Sequence, residues 1–258
     1  MAESIFRFKR FSVRNERSAM KVNTDGVLLG AIADIPPHDG LCEVLDAGTG
    51  TGTIALMLAQ RLSDSGCEFS VTGIDIDEAS ATEARANFEN SPWSKSMQSQ
   101  HVPLSECEGR FDLIVSNPPY YDDSLQNPDA RKNTARHTVA SDEEGLEGAP
   151  MSYRTLLEYA MTHLKGHGRL AVVLPADQEA ALLRHARMCG FVPEKAVRVS
   201  TTTRKAPSRI IVQFAQKKCS PPAQAEGQHP LTINLSIQDG GEYTSEYTLL
   251  MKEFYLWA

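Results

Sequence analysis

Nowhere in the 258 residues does an apolar run approach the roughly 18 needed to cross a bilayer, and the longest candidates, such as Leu170–Leu174, are strand-sized. The opening stretch, MAESIFRFKRF, alternates charge with aromatics and has neither an apolar stretch nor a small-residue cleavage site, so a soluble, cytoplasmic protein is expected. Five cysteines (Cys42, Cys67, Cys107, Cys189, Cys219) are an odd, scattered number without a C-x-x-C pair. They read as reduced thiols and indicate neither a disulfide framework nor a zinc site. The seven histidines show no ligand spacing, so no metal is expected, and no internal repeat is visible. Positive charge is also scarce: 26 Lys and Arg face 33 Asp and Glu, for a net −7. Taken alone, that balance weighs against a nucleic-acid partner.

What is present is a composition close to the globular average, 41% hydrophobic and 23% charged, with room for one large domain or two small ones. The charge is unevenly placed. Residues 1–22 hold Arg7, Lys9, Arg10, Arg14, Arg17 and Lys21 against Glu3 and Glu16. A second basic cluster, Lys195, Arg198, Arg204, Lys205 and Arg209, has Glu194 beside it, while acid collects at Asp142–Glu144. Each patch reads equally well as a solvated face.

From Leu41 onward short apolar runs alternate with longer helical stretches. Strands are expected at Leu41–Asp46, Phe69–Asp75, Met97–Val102, Phe111–Ser116 and Arg169–Leu174, and helices at Thr53–Leu62, Asp77–Asn90, Ser152–Leu164 and Ala176–Cys189, the last stopped by Gly190. Val197–Thr203 and Arg209–Phe214 are spaced as antiparallel neighbours. Such alternation implies an α/β fold with a doubly wound, mostly parallel sheet covered on both faces. Outside it lie a strand-like Ile5–Val13, a helix in TDGVLLGAIA capped by Thr24 or Asp25, a linker at Lys217–His229, a strand LTINLSI and a final amphipathic helix.

The most informative stretch is Val44–Thr53, VLDAGTGTGT: an apolar strand ending in an acid, then Gly48, Gly50 and Gly52, then a helix. Glycine there lets backbone approach a ligand with no Cβ in the way, at the sheet edge where ligands bind in doubly wound folds. The dinucleotide fingerprint G-x-G-x-x-G/A fails from Gly48 but is met from Gly50 by Gly52 and Ala55, so glycine spacing leaves a dinucleotide open. Asp46 points elsewhere: a carboxylate there disfavours pyrophosphate and suits a cation, such as a sulfonium with an α-amino group. Asp75, closing the next strand, is placed to accept ribose hydroxyls, with Asp77 the better helix cap.

The second motif is Ser116-Asn117-Pro118-Pro119-Tyr120, directly after the fourth strand. Two prolines fix the backbone and remove N–H donors. The Asn117 side-chain oxygen and the Pro118 carbonyl can then grip both hydrogens of one amino group, aiming its lone pair at an electrophilic methyl by positioning rather than by a strong base. Tyr120 offers a face on which a base can stack.

These residues, together with FRFKRFSV, Met20–Ala31, Asn90–Trp93, Ala135–Thr138 and the ending EYTSEYTLLMKEFYL, give the chain a resemblance to the class I S-adenosylmethionine-dependent methyltransferases, and within their N-P-P-Y branch to the bacterial tRNA1(Val) adenine-N6-methyltransferases. The resemblance implies a Rossmann-like seven-stranded sheet with its last strand antiparallel. It also implies methyl transfer from S-adenosyl-L-methionine to N6 of the adenosine 3′ of the anticodon in a valine tRNA. By that analogy Gly48, Gly50, Gly52, Asp75 and Ile76 line the cofactor, with Lys21, Thr24 and Asp25 over its methionine end, while Asn117, Pro118 and Tyr120 hold the target adenine. One departure stands out: Pro103 occupies the place where an acid near the cofactor's adenine is usual. An acidic insertion, Ala140–Pro150, is a second.

On this reading the basic clusters become candidates for gripping RNA: Arg7, Lys9 and Arg10 in the first and Arg204 and Lys205 in the second, with Tyr121 and Arg136 near the site. The chain divides into a basic N-terminal extension of strand and helix (1–35), a methyltransferase domain (36–216), and a linker with a C-terminal strand and helix packed on it (217–258), expected to act as a monomer. Competing readings are N-P-P-Y methylation of another planar nitrogen (guanine N2 of ribosomal RNA, adenine of DNA, glutamine of release factors), a non-catalytic binding module, and a nicotinamide oxidoreductase.

Overall fold

A computed structural model describes residues 4–119, 151–217 and 230–258. Tyr120, Tyr121, Arg136, the acidic Ala140–Pro150 stretch and all but the first residue of the expected linker lie outside that set.

The chain opens with two short strands, β1 (Ile5–Arg7) and β2 (Ser12–Arg14), paired antiparallel. The single strand expected over Ile5–Val13 is therefore a hairpin. Phe8 N donates to Phe11 O across the turn, and burying the stacked Phe8 and Phe11 rings favours the fold-back. Helix α1 (Thr24–Ile32) comes next, capped neither by Thr24 nor by Asp25 but by Asn23, whose Oδ1 accepts from Gly26 N at 2.9 Å. A cap must be extended while its successors are already helical, and the backbone of Asn23 is extended.

The alternating core runs β3 (Cys42–Ala47), α2 (Thr53–Asp64), β4 (Phe69–Asp75), α3 (Glu78–Glu89), β5 (Met97–His101) and β6 (Phe111–Ser116), then α4 (Tyr153–His163), β7 (Leu164–Pro175), α5 (Glu179–Met188), β8 (Phe191–Thr202) and β9 (Arg209–Gln216). Asp77 caps α3 as expected, accepting from Ser80 N, and Gly190 leaves α5 at φ +78°. Strands β3 to β7 are mutually parallel in the order β5-β4-β3-β6-β7, and β9 lies antiparallel between β7 and β8. Val197 stands opposite Ile211, which makes the two C-terminal runs the antiparallel pair that their spacing predicts. The C-terminal segment then widens the sheet to nine strands: β10 (Leu231–Asp239) adds parallel to β8 and β11 (Glu242–Tyr243) turns back on β10 before α6 (Ser245–Met251).

Alternate side chains of a strand leave opposite faces of the sheet. Val44, Leu113, Val115, Ala171 and Val173 pack under α1, α2, α6 and the N-terminal hairpin, whereas Leu45, Ile114, Leu170 and Val172 pack under α4 and α5. The hairpin thus belongs to the same core as the sheet. Two α3 side chains fasten the chain around residues 14–18: Glu83 accepts from the backbone N–H groups of Glu16, Arg17 and Ser18, and Asn87 exchanges hydrogen bonds with the backbone of Arg14. Because α3 starts just past the end of β4, this clamp lays Ala19 and Met20 beside the carboxyl edge of the sheet.

Candidate active site

At that edge the ends of β3, β4 and β6 and the N-terminal turn of α4 enclose a cavity of about 420 Å³, a size that suits a small organic ligand. The glycine turn after β3 forms one side. Gly48, Gly50 and Gly52 all adopt left-handed backbone, with φ of 72°, 55° and 80°, which L side chains resist. Their surroundings differ. Gly48 and Gly50 line the cavity, and a Cβ on Gly48 would stand 2.7 Å from Met151 Cε. Gly52 faces the core instead, where a Cβ would meet the Phe88 ring at 2.5 Å. Gly52 is therefore required for packing and, unlike Gly48 and Gly50, does not line the cavity.

The turn spends its own amides. Gly48 N and Thr49 N donate to Ile74 O, Gly50 N donates to the Asp75 carboxylate at 2.9 Å, and Gly52 N donates to Thr49 O. A pyrophosphate needs such N–H groups pointing outward, so the geometry disfavours the dinucleotide alternative. It leaves a concave wall of Cα hydrogens and carboxylate.

The two acids of this edge also separate. Asp75 lines the cavity, accepting from Gly50 N and Asp77 N, and burial raises its pKa above the ordinary carboxylate value against the pull of those two bonds. Asp46 is wholly buried behind the turn. Its Oδ2 accepts from Thr49 Oγ1 at 2.8 Å and Ala55 N at 3.2 Å, tying the turn to the first turn of α2. Burial pushes its carboxyl up to about 7. Asp46 does not line the cavity, and its hydrogen bonds hold the turn in shape from behind.

Asn117, only 5% exposed, stands where the cavity meets a narrow crevice that continues toward Lys21, Val22 and Asn23. Its Nδ2 donates to Met20 Sδ at 3.5 Å. Pro118 is buried and Pro119 lines the cavity. Ile76, half exposed, lines it beside Asp75. Lys21 lies along the crevice, but its Nζ donates to Glu16 O. Thr24 and Asp25 line neither space, and Asp25 is drawn off by an ion pair with Arg209 at 2.7 Å.

The methyltransferase small domain model matches residues 27–147. The tRNA1(Val) (adenine(37)-N6)-methyltransferase of Parabacteroides distasonis is 37% identical over 260 residues, covering 99% of both chains. That of Trichodesmium erythraeum is 35% identical with the same coverage. The chain belongs to this methyltransferase family. Its fold matches the crystal structure of a predicted O-methyltransferase from Agrobacterium tumefaciens at a TM-score of 0.59 and 16% identity, covering 89% of this chain and 96% of that one.

In the methyltransferase, one wall of the cavity goes unannounced by any sequence motif. Thr155, Glu158 and Tyr159 lie at i, i+3 and i+4 in α4 and so share a face, which lines the cavity together with Met151 just before the helix. That spacing is visible in the sequence, but nothing local says that the face meets a ligand. Met20 likewise stands out in the sequence only as part of a longer resembling stretch.

The basic candidates fall into two groups. Lys9 donates to the carbonyls of Lys252 and Ala258, and Arg10 pairs with Asp64 and lies over the Trp93 ring, in a groove that shares no lining residue with the cavity. Both side chains are exposed but already engaged within the fold, on a surface apart from the cavity. In the second cluster Lys195, Arg198 and Arg209 are held by Asp34, Glu179 and Asp25. Arg204 and Lys205 stay exposed on the β8–β9 turn, at the same sheet edge as the cavity because β8 runs parallel to β7, and Arg7 is exposed on the hairpin. Among the described residues no helix is long and apolar enough to cross a membrane, and no group of three or more His, Cys, Asp or Glu could hold a metal ion.

Proposed function

We propose that the protein transfers a methyl group from S-adenosylmethionine to the exocyclic N6 of adenosine 37 in tRNA1(Val). The observation that carries this reading is the convergence of Asn117, Gly48, Gly50 and Asp75 on one cavity, from the ends of three different strands. The residues fit the cofactor: a cradle that a Cβ would fill for its close approach, a carboxylate for ribose hydroxyls, and apolar Ile74, Ile76 and Val102 for a flat ring. When bound, S-adenosylmethionine supplies a methyl group made electrophilic by its sulfonium.

The protein's part is to hold the acceptor. The Nδ2 of Asn117 donates to Met20 Sδ, so the amide is oriented at the cavity's edge; its oxygen is the acceptor in this reading. That oxygen and the Pro118 carbonyl, preceding a residue without N–H, accept the two hydrogens of the adenine amine and turn its lone pair toward the methyl group. Positioning by these two fixed acceptors takes the place of a general base before transfer, and the proton that N6 must shed is strongly acidic once the nitrogen is methylated and passes to water. The adenosine must leave its stack to reach Asn117, which a single-stranded anticodon loop permits at low cost. Residues 36–216 form the catalytic unit on this reading, the segments on either side complete its edges, and Arg204 and Lys205 meet RNA phosphates.

The test is to incubate the protein with total tRNA and methyl-labelled S-adenosylmethionine, then identify the labelled nucleoside and its tRNA. N6-methyladenosine at position 37 of tRNA1(Val) is expected. Label appearing instead in N2-methylguanosine or in protein would overturn the substrate, and no label in any acceptor would overturn the enzyme.

A further inference from the structure

Beyond Asp75 the cavity has an arm lined by Ile76, Val102 and Leu104 on one side and by α4 on the other, which, on the function proposed above, receives the base of the cofactor. An adenine edge presents an amino donor, so this arm needs an acceptor that tells an amine from a carbonyl. Most polar groups there are already engaged. Thr155 Oγ1 donates to Ser152 O and accepts from Ser152 N, and Tyr159 donates to Cys107 O at 2.9 Å. Asp77 caps α3 through Ser80 N and Ser80 Oγ, and Asp75 takes the amides of Gly50 and Asp77. Pro103 has no N–H to offer. The Ser105 hydroxyl can donate or accept, so it cannot discriminate.

Glu158 is different. It lines the cavity from α4, is exposed, and makes no hydrogen bond or ion pair among the described residues. We infer that the Glu158 carboxylate accepts the exocyclic amino group of the cofactor's adenine, taking the part of the acid that is missing at Pro103. An ionised carboxylate only accepts, so it binds an amine edge and repels a carbonyl edge. The wall that no motif announced is thereby the one that recognises the base.

The inference rests on the cofactor reading, and calorimetric titration of the full-length protein separates the two. The probes are S-adenosylhomocysteine and S-inosylhomocysteine, which replaces the amino edge with a carbonyl. Wild type is expected to prefer the adenosyl compound by roughly tenfold or more, the usual worth of a hydrogen bond to a charged group. Glu158→Ala should shrink that preference to about threefold or less by weakening the adenosyl compound. Glu158→Gln, whose amide can donate to a carbonyl, should bind the inosyl compound more tightly than Glu158→Ala does, a recovery that a loss of folding cannot mimic. An undiminished preference in Glu158→Ala, or equal wild-type affinity for the two compounds, overturns the role of Glu158 alone. Wild-type protein that binds neither compound overturns the cofactor reading with it.

Discussion

The front and the back of the strand-end loops use the same residue types for opposite purposes. In front, Gly48, Gly50 and Asp75 line the cavity; behind, Gly52 lets the Phe88 ring close in and Asp46 ties the turn to α2. The basic residues divide in a related way: all four are exposed, but Lys9 and Arg10 are tied to other parts of the chain while Arg204 and Lys205 extend from the β8–β9 turn. A motif is thus a mixture of groups that meet the ligand and groups that hold those groups in place. Spacing along the chain does not separate them; only the direction each side chain takes does.

Substitutions that read rate, affinity and stability separately sharpen that contrast. The largest effect belongs to the front. Asn117→Ala should lower methyl transfer by about 1,000-fold, a loss comparable to removing one well-aimed polar group elsewhere, while S-adenosylhomocysteine affinity in calorimetry stays within about twofold. Retained transfer would remove Asn117 from the chemistry. Next comes the glycine pair. Gly52→Ala should cost about 2–3 kcal/mol in urea unfolding, since a Cβ meets the Phe88 ring in left-handed backbone. Gly48→Ala, which meets the flexible end of Met151, should lose less stability and more cofactor affinity. If both variants lose the two quantities in equal proportion, the division of front from back fails.

Asp46 gives the back a pH signature. Its folded pKa of about 7 lies above the ordinary carboxylate value, so between the two the folded state holds more protons than the unfolded one. Its contribution therefore favours folding at the acid end of that window and is lost as pH rises to about 7, with a slope of at most about 1.4 kcal/mol per pH unit for one proton. Asp46→Asn should flatten the urea midpoint between pH 5 and 7.5; an unchanged slope would mean that the group does not titrate there. The smallest effect is expected of the basic residues. Arg204→Ala with Lys205→Ala should weaken tRNA binding a few-fold at moderate salt and leave the melting temperature alone. Lys9→Ala should do the reverse.

The front of the site was largely legible because each piece is local. A strand, an acid and a turn of glycines lie within a few residues of one another, and the prolines after Asn117 constrain its backbone wherever it sits. The β8–β9 pair was legible for the same reason. The packing parts of Asp46 and Gly52 are not legible in sequence, because their partners, Thr49 with Ala55 and Phe88, become neighbours only through the path of the turn and of α3. The contacts of Lys9 and Arg10 are not legible in sequence, because their partners lie 243 and 54 residues away. The α4 wall carries a helical period but no chemistry until the fold sets it opposite the turn. The two added strands at the sheet edge arise from pairing of β10 with β8, a choice of neighbour that no local pattern specifies.

The Lys9 contact also bears on how the molecule is made. Its ammonium is fastened to the Ala258 carbonyl, 249 residues further on, and the adjoining Phe8 ring stacks on Tyr255. During synthesis the hairpin must wait for residues 252–258 to emerge before these contacts can form, long after the segments of the central sheet can begin to collapse. The α3 clamp on residues 14–18 can close much earlier, so a nascent chain stalled before residue 252 would hold the arm along the cavity but lack the Tyr255 cover on Phe8.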